Sequence, residues 1–185
     1  MMEPEDAYAR PLVNRARIRA AHEARVAEWP RERKALTIRA AIHVVEDHRK
    51  VARIGPFTIE SDEGAIVGGK GTAPTPLSYF VASIGFAVLT DLVRAFAVRD
   101  LPVDDLRLEI EADFPLGAKY ADEPAGVAAS TIRYTVDVRS PAPRPAVEDA
   151  IAWAERFCHA VHSLREPVRV EGHYRLAGEV VAATG

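Results

Sequence analysis

The residues with the clearest chemical potential lie in one short stretch near the C-terminus. Cys158 is the only cysteine of the chain, and His159 and His162 follow it closely. Residues four apart lie on the same face of a helix, so His162 is placed to act as a base for the Cys158 thiol. Three possible ligands on so short a segment do not all point the same way, which argues against a metal site. The plainer alternative is that Cys158 is a small buried core residue.

Other polar residues carry weaker signals. The run Gly68-Gly69-Lys70-Gly71 lacks the spacing and the terminal Lys-Ser/Thr of a phosphate-binding loop, so we interpret it as a flexible segment before a helix. Asp91 lies in an apolar run, where an isolated buried carboxylate is costly; it needs a polar pocket, a partner across a dimer or a place where the apolar shell ends. His43 and His48 are most simply strand and turn residues. We expect no cofactor and no metal.

The composition is that of an ordinary globular domain. The chain has 185 residues, of which 48% are apolar and 28% charged, and its formal net charge is −3. This balance gives no general attraction to nucleic acid or to an anionic membrane, and we expect neither as a partner. A single cysteine excludes an intrachain disulfide. The acidic N-terminus is unlike a signal peptide, so we expect a cytoplasmic protein.

A long apolar run occupies the middle of the chain. From Leu77 to Leu89 it carries no charge, and it predicts a helix from about Pro76 to Val98 that is buried on all sides. Pro76 fits the first position of a helix, where a missing N–H costs least. Ser and Gly interrupt the run, which makes it a poor membrane span. We therefore expect this helix at the centre of the fold.

Shorter segments surround this helix. Alternating apolar residues predict strands at 36–46, 51–61, 103–114, 127–138 and 168–176, the second of them kinked at Gly55-Pro56. Helix propensity and spacing predict helices at 10–29 and 148–164, the first of them exposed and lightly packed. We expect a turn at 47–50 and a long polar loop at 115–126. Strands outnumber helices without alternating with them, which favours an α+β fold with helices on one side of a largely antiparallel sheet.

Three segments, taken in order, resemble the OsmC/Ohr family of thiol-dependent peroxidases. The first is the loop-to-helix run that contains Asp62-Glu63-Gly64, Gly68-Gly69 and the residues from Gly71 to Leu77. The second is the end of the central helix and the residues after it, 97–106, and the third is 154–164, around Cys158. Together these segments place most of the chain, roughly 36–176, within the resemblance.

The resemblance implies a two-layer α+β domain over 35–177, with a buried central helix and an antiparallel sheet, in an intertwined homodimer. It leaves 1–34 as an N-terminal helical extension and 178–185 as a flexible tail. In the family, a cysteine of low pKa on the central helix attacks a peroxide, and a second cysteine traps the sulfenic acid as a disulfide. An Arg of the first hairpin and a Glu at the start of the central helix hold the thiolate.

This sequence departs from the family at the reacting residues. The position of the peroxidatic cysteine is Ala87, and the position of the glutamate is Leu77 or Ser78. The resolving cysteine corresponds to Cys158, and the hairpin arginine to Arg49, with Arg39 and Arg53 as rivals. Alanine forms neither a thiolate nor a sulfenic acid, so the two-cysteine cycle cannot run here as it does in the family.

Three functions remain open from the sequence. One is residual thiol chemistry through Cys158, supported by Arg49 and His162. Another is a non-catalytic homodimer that binds a small apolar ligand in an interface pocket lined by Phe80, Ile84, Phe86 and Val88. The third is a structural or regulatory dimer without a ligand.

Overall fold

The computed structural model describes residues 11–29, 35–120, 127–166 and 168–184, which form a long central helix, shorter helices and three small antiparallel sheets. The elements are α1 (Arg15–Glu28), β1 (Ala41–Glu46), β2 (Arg49–Ile54), β3 (Phe57–Ser61), α2 (Pro76–Val98), β4 (Asp105–Asp113), α3 (Leu116–Tyr120), β5 (Thr131–Arg139), α4 (Arg144–Phe157), α5 (His159–Arg165), β6 (Gly172–Leu176) and β7 (Glu179–Thr184). The predicted α+β class is confirmed. Predictions for residues 1–10, 30–34 and 121–126 lie outside the described residues.

Helix α2 begins and ends where the sequence predicted it. The side chain of Thr75 caps it by accepting a hydrogen bond from the backbone N–H of Ser78 (3.2 Å), and Pro76 takes the first position. The helix is not buried on all sides, however, because Phe86 is 70% exposed whereas Phe96 is fully buried. The apolar sequence predicted the helix but not which face the rest of the chain would cover.

The core lies on one face of α2. This helix is long and apolar enough to cross a membrane by length and composition alone, but α1, α4, α5 and β4 pack against it. The buried side chains of the core come from α2, α4, α5 and the loops beside them, and they are Val13, Val88, Leu92, Ala95, Phe96, Ala97, Val103, Ala150, Ala154, Cys158 and Val161. We therefore interpret α2 as the core helix of this fold and not as a membrane span.

Strands β4 and β5 form a two-stranded sheet that packs on α2. Leu108 pairs with Val136 in this sheet, and both side chains pack against the core while their neighbours in sequence point outward. A Cβ atom built on Gly85 would lie only 3.0 Å from Cδ2 of Leu108. Glycine at this position therefore lets the helix and the sheet approach closely.

The segment predicted as one kinked strand at 51–61 is a hairpin. Strands β2 and β3 pair antiparallel, with Ile54 opposite Phe57, and Gly55 takes a left-handed conformation (φ 57°) in the turn between them. The preceding turn is shorter than predicted, because Asp47 (φ 48°) turns the chain and Arg49 already belongs to β2. The first strand begins at Ala41 rather than at residue 36.

The C-terminal region differs from the prediction in two respects. The helix predicted at 148–164 is two helices, because Cys158 takes extended backbone angles (φ −73°, ψ 107°) between α4 and α5. Residues 178–185 were predicted as a loose tail, but Glu179–Thr184 forms β7, which pairs with β6. The β-branched residues of that segment favour a strand. A further short helix, α3, lies within the loop predicted at 115–126.

Helix α1 lies against α2. The guanidinium groups of Arg15 and Arg19 are each 3.4 Å from a carboxylate oxygen of Asp100, just beyond the end of α2. Val13, which precedes the helix, is buried in the core, whereas no residue of α1 itself is buried. This agrees with the predicted exposed helix. The division of the chain at residue 34 stays a prediction.

The sheet formed by β1, β2 and β3 and the sheet formed by β6 and β7 expose apolar side chains. More than half of the side-chain surface is accessible at Ile42, Val44, Phe57, Leu176 and Val180. One face of the β1–β3 sheet forms an open apolar concavity of about 310 Å³, whose walls include Ile42, Ala52 and Ile59. Apolar patches of this kind mark interaction surfaces.

Candidate functional site

Cys158 lies at the break between α4 and α5, next to Asp91 of α2. Its side chain is 2% exposed. Burial raises the pKa of the Cys158 thiol; the backbone N–H of Val161 opposes this, and the Asp91 carboxylate raises the pKa further. A reactive cysteine needs the opposite arrangement, with a lowered pKa and access to solvent. The structure therefore places the single thiol where its thiolate is disfavoured.

Asp91 finds its partner on its own helix. One carboxylate oxygen accepts a hydrogen bond from Nη2 of Arg94 (2.6 Å), one turn further along α2. The Arg94 guanidinium also lies over the ring of Trp153 in α4, with 5.2 Å between its central carbon and the ring centroid. Arg99 lies at the same distance from that ring and pairs with Asp149 (2.6 Å). These contacts tie α2 to α4 and compensate the buried carboxylate.

The His162 ring does not face the thiol. Its Nε2 is 3.0 Å from the backbone oxygen of Arg156, and its Nδ1 is 3.8 Å from Oε1 of Glu166. The Cys158 carbonyl does accept a hydrogen bond from the His162 backbone N–H (3.0 Å), but the nitrogens of the His162 ring contact Arg156 and Glu166 and not the thiol. Among the described residues, no group of three His, Cys, Asp or Glu side chains is arranged to hold a metal ion.

Arg49 lies on the first sheet and pairs with Glu60. Its Nε and Nη2 donate to one oxygen of that carboxylate at 3.0 and 2.7 Å, and this pairing raises the pKa of Arg49. No hydrogen bond or ion pair of the described residues joins Arg49 to Cys158. Its rival Arg53 also lies on β2, opposite Ala41, whereas Arg39 precedes β1. Within one chain, the structure does not bring these arginines to the thiol.

Ala87 packs, half-buried, against the core cluster that contains Cys158. Leu77 and Ser78, one of which the resemblance would place at the family's glutamate, are exposed in the first turn of α2. Ser78 lies 2.9 Å from the Thr75 hydroxyl, so this turn is occupied with capping the helix. On α2, the resemblance therefore assigns peroxide chemistry to Ala87 and to Leu77 or Ser78, and none of these side chains is a thiol or a carboxylate.

The predicted pocket does not form from the four residues named for it. Ile84 and Val88 are buried in the interior, 3% and 4% exposed, and so cannot line an open cavity. Phe80 packs edge-on against Phe114, with 6.4 Å between ring centroids. Phe86 alone of the four lines a groove. The prediction was wrong for these residues because α2 is apolar on all its faces, and such a sequence does not show which face the rest of the chain covers.

The groove beside Phe86 lies between α1 and α2 and has a volume of about 620 Å³. Its apolar walls are Ile18 and Ala21 of α1 and Phe86, Leu89 and Val93 of α2. His22, Arg25 and Arg94 add nitrogen-bearing side chains, and Thr90 completes the lining. The contribution of α1 to this groove was not predicted from the sequence. The spacing of Ile18, Ala21, His22 and Arg25 at three and four residues was the available signal.

The glycine-rich loop before α2 is held by one buried carboxylate. Asp62, 1% exposed, accepts hydrogen bonds from the backbone N–H groups of Glu63, Lys70 and Thr72 (2.8, 3.2 and 3.1 Å) and from the Thr72 hydroxyl (3.0 Å). These bonds, led by that from the Thr72 backbone, lower the pKa of Asp62 to about 2. A Cβ on Gly69 would lie 1.9 Å from the Glu63 backbone oxygen. The predicted flexible segment is thus a fixed loop that sets the start of α2.

Comparisons with known proteins agree with the fold of this chain. The family model described as "OsmC-like protein" matches residues 69–172. An OsmC-like protein from Mycoplasma pneumoniae has a similar structure, with 13% identity, a TM-score of 0.61 and coverage of 72% of this chain and 91% of that one. No match was found among curated proteins.

Two further solved structures are similar. The organic hydroperoxide resistance protein OsmC from Legionella pneumophila has 18% identity and a TM-score of 0.56, with coverage of 71% of this chain and 92% of that one. The organic hydroperoxide resistance protein from Elizabethkingia anophelis, solved with thiocyanate bound, has 13% identity and a TM-score of 0.54, with coverage of 74% and 93%. At these identities the likeness concerns the fold.

Proposed function

Because the chain belongs to the OsmC-like family, whose model matches more than half of it, we propose that it has kept the family's fold and lost the family's peroxidase chemistry. The observation that carries the proposal is the pair Ala87 and Cys158. The position that the resemblance assigns to the nucleophile is Ala87, which has no thiol, and the single thiol of the chain is buried beside Asp91 with a raised pKa. A peroxidatic cysteine acts as a thiolate, so neither residue supports the first step.

Thiol chemistry through Cys158 alone is the weaker candidate. It requires a base and a cation near the sulfur, and the two residues named for these roles are engaged elsewhere: His162 with Arg156 and Glu166, and Arg49 with Glu60. Two of the similar structures are described as hydroperoxide resistance proteins. For this chain we take that description as ancestry rather than as activity.

A homodimer in the cytoplasm is part of the proposal. The exposed apolar side chains of β1 and β3 and the open concavity on their sheet support a second copy that covers them, since a chain in water gains from burying such a surface. The single buried thiol suits a reducing compartment.

We propose that such a dimer binds a small, largely apolar ligand, in preference to a structural or regulatory dimer without one. Pockets that bind small molecules are mostly apolar clefts of about 300–1,000 Å³ with a few polar groups. The groove between α1 and α2, with about 620 Å³ and five apolar walls, meets this description.

A peroxide-consumption assay tests the loss of activity. The full chain, Cys158→Ala and Cys158→Ser are each incubated with hydrogen peroxide or with an organic hydroperoxide, in the presence of a dithiol reductant. We expect all three proteins to consume peroxide no faster than the reductant does alone. Turnover by the unchanged chain that disappears in both variants would overturn the proposal and establish Cys158 as a nucleophile.

A further inference from the structure

We propose that β7, the last strand of the chain, pairs along its free edge with β1 of a second copy, so that a two-fold dimer contains two five-stranded sheets. This pairing rests on the homodimer of the proposed function and adds to it the two strands that join the copies. Strand β7 lies beyond residue 172, where the match to the family model ends.

The hairpin of β6 and β7 stands apart from the rest of its own chain. Among the described residues, no hydrogen bond or ion pair joins 168–184 to an earlier segment, and neither strand packs extensively on a helix or on another sheet. All six residues of β7 are exposed, Val180 and Val181 among them. A two-stranded hairpin alone is marginally stable in water at best, whereas three or more strands with an apolar face are stable. The hairpin therefore needs strands that its own chain does not supply.

Strand β1 is the free edge that matches β7. It lies at one margin of the first sheet, and all six of its residues are exposed. At the other margin β3 is partly covered, and the Tyr79 hydroxyl of α2 donates to the backbone oxygen of Glu60 (2.7 Å). Strands β1 (AIHVVE) and β7 (EVVAAT) have the same length, and each has one bulge within or beside its Val-Val pair. Neither contains the Lys or Pro that commonly protects a free edge from pairing.

The exposed surface of the chain favours a second copy as the partner. It amounts to 14615 Å², whereas a compact monomer of 20.2 kDa exposes about 8,800 Å². The difference exceeds the roughly 1,600 Å² that a standard protein interface buries. Each copy carries both free edges, so a two-fold arrangement pairs β1 with β7 twice and leaves neither strand without a neighbour.

Sedimentation velocity on two matched variants tests the pairing. Val44→Lys/Val45→Lys puts two lysines in β1, and Val180→Glu/Val181→Glu puts two glutamates in β7. We expect each variant alone to dimerise more weakly than the unchanged chain by roughly tenfold or more, because charges then line an edge that must pair. An equal mixture should form a heterodimer that is tighter than either homodimer. In that heterodimer, lysines face glutamates in one sheet and the other sheet is unchanged.

Hydrogen exchange gives a second readout of the same variants. In the dimer of the unchanged chain, backbone amides of β1 should exchange slowly. Val180→Glu/Val181→Glu should speed their exchange, although no hydrogen bond joins β1 to β7 within one chain. The control is Val168→Glu/Val170→Glu, which changes two equally exposed valines outside both strands and should leave the dimer and the exchange of β1 unchanged. Slow exchange in α2 shows that a variant is folded; where it is lost, Val45→Lys and Val181→Glu alone give the same comparison.

The other outcomes each overturn a defined part. Variants that dimerise as tightly as the unchanged chain, or a mixture that forms no tighter heterodimer, would end the pairing of β1 with β7 and leave the proposed homodimer. An equal loss in the control would mean that exposed apolar surface in general, and not β7, joins the copies. A monomeric unchanged chain would remove the homodimer together with the pairing. Peroxide turnover that depends on Cys158 would contradict the proposed loss of activity without bearing on either strand.

Discussion

Burial raises the pKa of the Cys158 thiol, and the carboxylate of Asp91 raises it further, although the two residues are 67 positions apart in the chain. Asp91 forms an ion pair with Arg94 of the same helix, α2, and Cys158 lies at the break between α4 and α5. An anion beside a buried thiol disfavours the thiolate, which is the form that reacts with peroxides and with metals. The packing of α4 and α5 on α2 therefore sets the chemistry of the only cysteine.

The first prediction concerns the reactivity of Cys158. In the folded chain, alkylation by iodoacetamide should be slower by roughly tenfold or more than in urea, because burial and Asp91 both disfavour the thiolate. Asp91→Asn removes the charge, so the midpoint of the rate against pH should move to lower pH. The exposed Asp104→Asn is the control and should leave the midpoint in place. An unchanged midpoint in Asp91→Asn would show that burial alone raises the pKa.

The second prediction concerns the missing nucleophile. Ala87→Cys places a thiol against the cluster that contains Cys158, and we expect mild oxidation to join the two as a disulfide, seen by mass spectrometry as the loss of two hydrogens. Peroxide consumption should stay low, because Leu77 and Ser78 provide no carboxylate and Asp91 still raises the pKa of Cys158. Ala82→Cys, on α2 but outside the cluster, should form no intrachain disulfide. Two free thiols in oxidised Ala87→Cys would contradict the expected proximity.

The third prediction concerns acid stability through Asp62. A carboxyl whose folded pKa is lowered from 3.8 to about 2 stabilises the fold above the unfolded pKa, and this stabilisation is lost as the pH falls through the folded value. Asp62→Asn should therefore lower the free energy of unfolding at neutral pH and flatten its decline below pH 3.8. Urea titrations at a series of pH values measure both effects. The exposed Asp137→Asn serves as the comparison, and an equal decline in the two variants would argue against Asp62 as the source.

The fourth prediction uses two glycines of the same loop. A methyl group on Gly69 would meet the Glu63 backbone oxygen at 1.9 Å, whereas one on Gly64 would meet nothing within 4 Å. Gly69→Ala should lower the free energy of unfolding by about 2 kcal/mol or more, because backbone must move. Gly64→Ala should change it by no more than about 0.5 kcal/mol. Equal losses in the two variants, measured by urea unfolding, would mean that the close approach at Gly69 does not determine the stability of the loop.

The sequence predicted the elements whose signals are local. Thr75 and Pro76 are a cap and a first helical residue, and they place the start of α2 correctly. The alternation in β4 and β5 likewise located both strands to within a few residues. Gly55-Pro56 was also a local signal, but a kink and a hairpin turn share it, and only strand pairing decides between them.

The remaining features depend on contacts that a sequence does not display. The helical spacing of apolar residues continues through Cys158, so the break there, and with it the orientation of His162, could not be predicted. The packing of β4 and α4 decides which face of α2 is buried, and the sequence does not show this packing. Ile84 and Val88 were therefore predicted to line a pocket, although both are buried. The resemblance, by contrast, predicted the family and the fold, because its motifs lie in loops and helix ends that local structure preserves.

The guanidinium groups of Arg94 and Arg99 lie over the ring of Trp153, and the His22 ring makes an edge contact with it. The fluorescence of Trp153 can therefore serve as an intrinsic probe of this part of the fold. The chain has two tryptophans, and the other, Trp29, is 60% exposed. Indole emission responds to nearby cations and to water, and a less exposed indole emits at shorter wavelength. The short-wavelength part of the spectrum, which comes from the partly buried Trp153, would therefore report on the contact between α1 and α4. Detachment of α1, or filling of the space beside it, would then be visible without any label.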